Sequence, residues 1–301
     1  MEKMPDREGG NPGLLPSRIG FGCMSIGMDQ PVASRLLQTA AAEGITFFDT
    51  ADLYNGGENE RIVGKALKEK RKQIVLATKV GNQLNPDGKT WRWNPSREYI
   101  LHAVEESLKR LQTDYIDLYQ LHGGTLDDDI DDTIATFELL KKQGKIRHYG
   151  ISSIRPAVIR AFCSRTTLST VMMQYSLLDR RPEEACLGYL SDKKTGILAR
   201  GALAGGLLIN KPATDYLGHP AATVRKAAAA IRDVAGTSRL PSAIATRYVL
   251  HEFNVKSAVT GIRTMEQLQQ ALAALAASPL TSAEISFLRE AVPLNYYGVH
   301  R

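Results

Sequence analysis

Residues 45–60, ITFFDTADLYNGGENE, open with an apolar run and turn polar within a few positions. A short apolar run that ends in Asp, Asn and Gly is typical of a buried β-strand leading into a turn. Turn formation accounts for Asp52 and Asn55. It does not account for Asp49 and Tyr54, which bring a carboxylate and a phenol to the end of a strand that we expect to be buried.

Similar apolar runs recur along the chain, and stretches with helical periodicity lie between them. The predicted strands are RIGFG, ITFFDT, IVLATK, YIDLYQLH, IRHYGISS, TVMMQYS, GILAR and KSAVTG. The predicted helices are VASRLLQTAAAEG, ENERIVGKALKEK, SREYILHAVEESLKRL, IDDTIATFELLKKQG, RPAVIRAFC, RPEEACLGYLSDKK, PSAIATRYVLHEF and TMEQLQQALAALA. Eight strands alternating with eight helices predict an α/β fold, a parallel sheet closed into a (β/α)8 TIM barrel.

A doubly wound open sheet is the alternative α/β arrangement. It would require a G-x-G-x-x-G turn after the first strand and an acidic residue further along the chain. The segment GFGCMSIG matches that turn only loosely, and no acidic partner is obvious. The barrel is therefore the favoured prediction.

No Ser-rich or Pro-rich linker interrupts the alternation, so residues 1–301 are predicted to form a single barrel domain. The longest segments without periodicity are GNQLNPDGKTWRWNPS, after the third strand, and residues 208–220. In a TIM barrel both would lie over the carboxyl ends of the strands, where ligands bind. The C-terminal segment AVPLNYYGVHR has no clear period, and we expect it to be irregular.

Composition and charge argue against several classes of function. With 43% hydrophobic and 23% charged residues, the chain is expected to be globular. Its formal charge of +6 comes from scattered basic residues without an aromatic-basic motif, so nucleic-acid binding is not expected. Neither a membrane span nor a signal peptide is expected, because no long apolar window exists and MEKMPDREGGNPG lacks an apolar core. The three widely spaced cysteines predict no disulfide framework and favour the cytoplasm.

In the predicted barrel, four side chains with complementary chemistry converge on one mouth. Asp49 ends the second strand, Lys79 the third and His122 the fourth, while Tyr54 follows the second strand. A lysine beside a tyrosine stabilises the phenolate and lowers the phenol pKa from about 10, which would make a better proton donor near neutral pH. The aspartate would keep the lysine charged, and the histidine could hydrogen-bond a carbonyl oxygen. This set predicts acid-catalysed reduction of a carbonyl group by a hydride.

The acidic run DDDIDD, residues 127–132, follows soon after His122 but is not predicted to bind a metal ion. Consecutive aspartates do not converge on an ion without a dedicated loop such as an EF-hand. They favour the start of a helix, where carboxylates complement the helix dipole. No metal is expected.

Five ordered motifs resemble the aldo-keto reductase superfamily: FFDTADLYNGGENERIVGKAL, IVLATKV, SLKRLQTDYIDLYQLH, GKIRHYGISS and MMQYS. The resemblance extends from about Ser17 to Ala277. It implies a (β/α)8 barrel that uses NADPH or NADH without a Rossmann domain and reduces aldehydes or ketones to alcohols. It also implies a catalytic tetrad of Asp49, Tyr54, Lys79 and His122, with Tyr54 as the proton donor.

The resemblance further implies contacts to the cofactor, with NADPH expected and NADH possible. Ser152 and Gln174 match the family's Ser and Gln at the nicotinamide carboxamide, and Ser153 replaces an Asn. Arg200 stands where many relatives stack a Tyr on the nicotinamide, so stacking by its guanidinium or a phosphate contact is expected. Gly201, Leu203 and Gly206 would cradle the pyrophosphate, and Arg263 and Gln267 would hold the 2′-phosphate and adenosine. The remaining predicted cofactor-binding residues are Gly22, Cys23, Met24, Asp49 and Gly261, while Ala271 replaces an adenine-contacting Asn.

Trp91, Trp93 and Tyr175 are predicted to line an apolar substrate pocket, which would favour aromatic or medium-chain aldehydes. Either tryptophan could instead be a lid on the rim of the barrel. Two other functions stay open. One is a cofactor-binding redox sensor or regulatory subunit with little turnover. The other is a Schiff-base lyase that uses Lys79, which Asp49 disfavours because a charged lysine is not a nucleophile. Neither the substrate nor the oligomeric state is determined by the sequence.

Overall fold

The computed structural model describes residues 13–299, and a closed barrel of eight parallel strands lies at its centre. Ten strands, β1 to β10, occur in these residues: Ile19–Gly22, Phe47–Asp49, Val75–Val80, Asn82–Leu84, Trp91–Trp93, Ile116–Leu121, Ile146–Ser152, Thr170–Gln174, Gly196–Arg200 and Val255–Gly261. The barrel order is β1-β10-β9-β8-β7-β6-β3-β2, and β2 pairs with β1 to close it. The predicted (β/α)8 TIM barrel is confirmed. Residues 1–12, where no signal peptide is predicted, lie outside the described residues.

Ten α-helices, α1 to α10, lie within the same residues: Gln30–Ala42, Glu58–Leu67, Arg97–Leu111, Ile130–Lys142, Pro156–Arg165, Pro182–Asp192, Ala221–Ala235, Pro241–His251, Met265–Ala276 and Ser282–Ala291. The eight predicted helices are present, but α7 and α10 were not predicted. The α7 sequence AATVRKAAAAIRDVA has a clear apolar face that includes Val224, Ala227 and Ile231, so its helical period was present in the sequence. Helix α10 carries a capping box of Thr281 and Glu284, a signal that its sequence TSAE already contains.

The segment after β3 was predicted as a loop, and that prediction is wrong. It forms an antiparallel hairpin of β4 and β5, in which Asn82 pairs with Trp93. The carboxylate of Asp87 accepts hydrogen bonds from the backbone N–H groups of Lys89 and Thr90, which fixes the connecting turn. The hairpin thereby holds two tryptophans beside the barrel mouth. Residues 208–220 contain no helix or strand, as expected.

The inside of the barrel is filled by side chains from separate strands, among them Phe47, Leu118, Met172 and Leu198. A larger apolar cluster lies between the strands and the surrounding helices. Because the barrel is packed rather than hollow, a ligand can bind only at its ends, and catalytic groups in this fold lie at the carboxyl ends of the strands.

A buried ion pair fixes the helix that follows the β2 loop. Glu60, in α2, is fully buried, and its carboxylate accepts a 2.6 Å hydrogen bond from Arg110 Nε in α3. The hydroxyl of Thr78, in β3, donates a second bond of 2.6 Å to the same carboxylate. Helix α2 is therefore attached to both α3 and the barrel, which holds the preceding loop over the mouth.

The segment after α10 is irregular but packs against the loop between β8 and α6. The side-chain oxygen of Asn295 accepts from the backbone N–H of Arg180, whose guanidinium donates to the carbonyl oxygen of Val292. The guanidinium of Arg181 lies 4.8 Å from the centre of the Tyr297 ring. Among the described helices, none is long and apolar enough to cross a membrane.

Candidate active site

The structure brings the four side chains of the predicted tetrad together at the carboxyl ends of the strands. Asp49 is the last residue of β2, Lys79 lies near the end of β3, and His122 directly follows β6. Tyr54 begins a short 3-10 helix, in which Asn55 has a φ of 51°. Asn and Gly tolerate this left-handed conformation, which explains the residues NGG that follow Tyr54 and turn the chain into α2.

Lys79 connects three groups of the site through its ammonium. Its Nζ lies 2.6 Å from Asp49 Oδ2, 2.7 Å from the carbonyl oxygen of Thr50 and 3.3 Å from the hydroxyl oxygen of Tyr54. The side chain is 1% exposed, so these three acceptors match its three N–H groups. Burial alone would lower the pKa of Lys79, but Asp49 and Tyr54 together raise it, so the lysine stays charged.

Asp49 is held from its other side by a residue that sequence reasoning missed. Burial raises the pKa of Asp49, and the Lys79 charge and hydrogen bonds from Lys79 and Gln120 oppose that rise. Gln120 Nε2 donates to Asp49 Oδ1 over 3.2 Å from inside β6. The strand sequence IDLYQL contains this glutamine, and every residue of the strand is buried. A buried polar side chain needs a hydrogen-bond partner, so the sequence could have indicated that Gln120 bonds to another buried polar group.

The pKa of Tyr54 corrects a sequence-based expectation. The sequence predicted a lowered pKa, but burial raises it above its ordinary value, and the Lys79 charge offsets only part of that rise. The prediction considered the charged neighbour and not the loss of water around the phenol. Tyr54 is consequently a protonated phenol at neutral pH. It can give up a proton, and Lys79 is placed to stabilise the phenolate that results.

Asp52 was predicted to be a simple turn residue, and the structure shows that it is buried. Its Oδ2 accepts a hydrogen bond of 3.1 Å from the hydroxyl of Tyr99 in α3. Burial and the nearby Glu60 carboxylate raise the pKa of Asp52 to about 7. The residue therefore fastens the loop before Tyr54 to α3 rather than facing water.

His122 packs edge-on against Tyr54, with ring centres 5.9 Å apart and planes at 80°. Its Nδ1 is buried without a hydrogen-bond partner among residues 13–299. Burial and the charges of Lys79 and Arg200 lower the pKa of His122 to about 3. The imidazole is therefore neutral at pH 7, and a neutral ring retains one N–H that can donate to a carbonyl oxygen.

We expect NMR spectra of the imidazole nitrogens to show no titration of His122 between pH 5 and pH 8, because its pKa of about 3 lies well below that range. Comparison with the spectrum of His122→Asn assigns the signal. A His122 signal that titrates near the ordinary value of about 6.5 would contradict this expectation.

A groove of about 480 Å³ extends from Asp49 and Tyr54 towards the start of α9. The predicted cofactor residues that line it are Gly22, Met24, Asp49, Arg200, Gly201, Leu203, Gly206, Gly261, Arg263 and Gln267. Gly201 and Gly206 have φ values of +77° and +98°, which only glycine adopts without strain. The glycine cradle and the two arginines fit an elongated ligand with phosphate groups.

Further polar residues of this groove were not predicted: Ser25, Asn210, Lys211, Ser242, Thr246, Thr260 and Gln270. Lys211 is the most relevant of them, because an ammonium beside the glycine cradle attracts phosphate. Its side chain passes 3.3 Å from the place that a Cβ on Gly206 would occupy, so the glycine makes room for the lysine. A lysine directly after the sequence GGLLIN could have suggested a phosphate contact. Its position in the sequence does not show that the chain folds back and places the Lys211 side chain beside Gly206.

Three predicted ligand contacts line neither this groove nor the second cavity described below. Cys23 is fully buried, and its thiol donates to the carbonyl oxygen of Phe21, so its side chain is not exposed to the groove. Tyr175 is also fully buried, and its hydroxyl donates to Glu183 Oε1, so the prediction that it lines the substrate pocket is wrong. Gln174 lies beside the groove, where its side chain bonds to Arg200 and to the Tyr216 hydroxyl. Neighbouring residues at a strand end face opposite sides, which separates Gln174 from Tyr175.

A second cavity of about 660 Å³ adjoins the first at Tyr54 and Arg200. The predicted site residues that line it are Met24, Tyr54, Lys79, Trp91, Trp93, His122, Ser152, Ser153 and Arg200. Trp93 is held by a 2.8 Å hydrogen bond from its Nε1 to Asp128 Oδ1, whereas Trp91 is 54% exposed at the opening. The cavity thus has an apolar wall beside Tyr54, Lys79 and His122.

The acidic run after His122 begins a helix, as predicted. Asp129 caps α4 by accepting from the backbone N–H of Asp132, and Asp131 lies in the first turn. Within residues 13–299 there is no group of three His, Cys, Asp or Glu side chains that could hold a metal ion.

Comparison with known proteins gives consistent matches over nearly the whole chain. The model of the "Aldo/keto reductase family" matches residues 18–293. The "Uncharacterized oxidoreductase YqkF" of Bacillus subtilis (strain 168) is 43% identical over 307 residues, which cover 99% of this chain and 100% of that protein. The "Aldo-keto reductase yakc [NADP(+)]" of Schizosaccharomyces pombe is 34% identical over 68% of this chain and 63% of that protein. The solved structure of "aldo-keto reductase AKR11C1 from Bacillus halodurans (holo form)" has a TM-score of 0.92 and 44% identity over 98% of both chains.

Proposed function

The chain belongs to the aldo/keto reductase family, and on this premise we propose that it reduces aldehydes or ketones to alcohols with NADPH as the hydride donor. The observation that carries the proposal is the ammonium of Lys79, bonded at once to Asp49 and Tyr54 beside the neutral imidazole of His122. This arrangement lies where a groove suited to a dinucleotide meets a cavity with apolar walls.

Each side chain of the tetrad has a distinct role in this proposal. The bound nicotinamide supplies the hydride that reduces the carbonyl carbon. His122 donates its N–H to the carbonyl oxygen and orients it, and Tyr54 donates its phenolic proton to the same oxygen as the alcohol forms. Lys79 stabilises the resulting phenolate, while Asp49 keeps the lysine charged in a buried position.

The residues around the groove fit NADPH at both ends. Ser152 and Ser153, which line the adjoining cavity, would bind the carboxamide, and Arg200 would stack on the nicotinamide or contact a phosphate. Lys211 and the glycine cradle would hold the pyrophosphate, and Arg263 would bind the 2′-phosphate at the N-terminus of α9. The relative from Schizosaccharomyces pombe, whose name includes NADP(+), supports the choice of this dinucleotide.

We expect NADPH to bind more tightly than NADH, and Arg263→Ala to weaken NADPH binding selectively. The exposed guanidinium of Arg263 lines the groove, and its backbone N–H is held by Gln267 Oε1 at 2.9 Å. A charge-assisted contact to the 2′-phosphate is worth about 1.5–3 kcal/mol, which corresponds to roughly a ten- to hundredfold preference. Dissociation constants of both cofactors, measured by fluorescence titration in wild type and variant, test this expectation.

Arg61→Ala is a matched control, because it removes an exposed arginine in α2 that is paired with Glu58 and does not line the groove. Equal losses of NADPH and NADH affinity in Arg263→Ala would show that the arginine does not distinguish the two cofactors. The same selective loss in Arg61→Ala would assign the preference to general charge rather than to a contact.

Consumption of NADPH by the purified protein with a panel of aldehydes and ketones tests the proposed function. Tight NADPH binding without turnover of any carbonyl would indicate a redox sensor or regulatory subunit instead. Borohydride trapping of a substrate on Lys79 would indicate a Schiff-base lyase. Continuous turnover with formation of the alcohol is the expected result.

A further inference from the structure

The cavity beside Tyr54 and His122 has an excess of positive charge. Its charged lining residues within the described part of the chain are Lys79, Arg155 and Arg200, and no Asp or Glu lines it. The charge of Lys79 is balanced by Asp49 at 2.6 Å. For Arg155 and Arg200 no ion pair within 4.0 Å is present among residues 13–299. Two guanidinium charges therefore face a cavity that holds no carboxylate.

Arg155 is positioned by contacts with two loops of the barrel mouth. Its backbone N–H is 3.2 Å from the hydroxyl oxygen of Ser153, and its Nη1 donates to the carbonyl oxygen of Gly124. The second contact uses one of the five N–H groups of the guanidinium and ties it to the loop that begins at His122. The nearby Asp128 is already engaged, because its two oxygens accept from Trp93 Nε1 and from the backbone N–H of Thr125.

Arg155 and Arg200 differ in which cavity their side chains line. Arg200 lines both cavities and donates to Gln174 Oε1, so it belongs to the junction with the cofactor groove. Arg155 lines only the second cavity. The apolar side chains of Leu53, Trp91 and Trp93 line the same cavity. A ligand that fits such a cavity combines an apolar body with a negative charge at one end.

Resting on the proposed carbonyl reduction, we propose that this cavity selects aldehydes or ketones that carry a carboxylate, and that Arg155 binds this carboxylate. A guanidinium matches the planar carboxylate through paired hydrogen bonds, which are stronger than bonds between neutral groups. The apolar wall would hold the carbon skeleton between the carboxylate and the carbonyl group. Loss of such a contact lowers kcat/KM by about ten- to hundredfold.

The test compares 4-carboxybenzaldehyde with 4-carbamoylbenzaldehyde, which have nearly the same shape and differ by one charge. The amide withdraws more electron density than the carboxylate, so intrinsic reactivity favours the neutral aldehyde. We expect wild type to reduce the carboxylate with a kcat/KM at least about tenfold above that of the amide. Arg155→Gln should abolish this preference, measured as the ratio of the two kcat/KM values within the same variant, and Arg155→Lys should retain part of it.

Arg92→Gln is the matched control, because it removes one positive charge from the hairpin that carries Trp91 and Trp93. The Arg92 side chain bonds to Gln83 Oε1 and does not line the cavity. If Arg92→Gln lost as much of the carboxylate preference, the preference would come from the general positive electrostatic field and not from a contact with Arg155, and the proposal would be overturned. Weaker NADPH binding by Arg155→Gln would assign Arg155 to the cofactor and overturn it too. Equal reduction of both aldehydes by wild type, or reduction of neither, would overturn this inference alone, whereas failure to reduce any carbonyl compound of the wider panel would overturn the proposed function.

Discussion

Tyr54→Phe is expected to lower kcat for carbonyl reduction by about 10²–10⁴-fold, the range in which general acids contribute to catalysis. The substitution removes the phenolic proton and the 3.3 Å contact to Lys79 Nζ, and it keeps the ring that packs against His122. The affinity for NADPH should stay unchanged, because the hydroxyl acts in the transition state and not in cofactor binding. Single-turnover reduction, monitored by NADPH consumption, isolates the chemical step.

Tyr115→Phe provides a matched control at the opposite end of the barrel. The Tyr115 ring lies directly before β6 and is covered by the guanidinium groups of Arg71 and Arg147, at 3.9 Å and 3.7 Å. Removal of its hydroxyl should leave kcat unaltered. If Tyr54→Phe retained most of the single-turnover rate, Tyr54 would not be the proton donor.

Lys79→Met is expected to lower kcat by a similar factor and to move the basic limb of the pH–rate profile upward. Tyr54 must keep its proton to act as a donor, so activity falls as the pH rises through the pKa of the phenol. Burial raises that pKa and the Lys79 charge lowers it, so removal of the charge raises it further. The wild-type limb should already lie above the ordinary phenol value of about 10. A basic limb that does not move would show that Lys79 does not tune Tyr54.

The substitution at Lys79 also affects stability, and a second variant separates that effect from catalysis. Removal of one partner from a buried ion pair costs roughly 3–5 kcal/mol, because the other charge is left without compensation. Asp49 is 4% exposed and would be left in that position. The double variant with Asp49→Asn should recover much of the melting temperature and none of the activity. Recovery of both would assign the effect of Lys79→Met to stability alone.

The tetrad was accessible from the sequence because each of its residues lies at or just after the end of an apolar strand. The parallel barrel brings these ends together, so the sequence alone assigns Asp49, Lys79 and His122 to one mouth. Gln120 and Lys211 were not identified, since their roles depend on which side chains they meet after folding. Tyr175 was assigned wrongly, although the alternation of neighbouring side chains after Gln174 could have excluded it.

The electrostatics of the site were the least predictable part. The sequence indicates that Lys79 lies near Tyr54, but it does not indicate how strongly the phenol is buried, and burial decides the direction of its pKa shift. The same holds for Asp52, whose sequence context is that of a turn and whose carboxylate is buried against α3. Desolvation depends on the packing of several distant segments, which no local pattern contains.

The fate of the hydride is the most direct test of the proposed function. NADPH carrying deuterium at C4 of the nicotinamide, prepared separately on each face, is incubated with wild type and an aldehyde, and the alcohol is examined by mass spectrometry. We expect one deuterium on the carbinol carbon from one of the two labelled cofactors, and strongly reduced formation of the labelled alcohol with Tyr54→Phe. An alcohol without deuterium from either cofactor, or undiminished labelling by Tyr54→Phe, would contradict hydride transfer with Tyr54 as the proton donor.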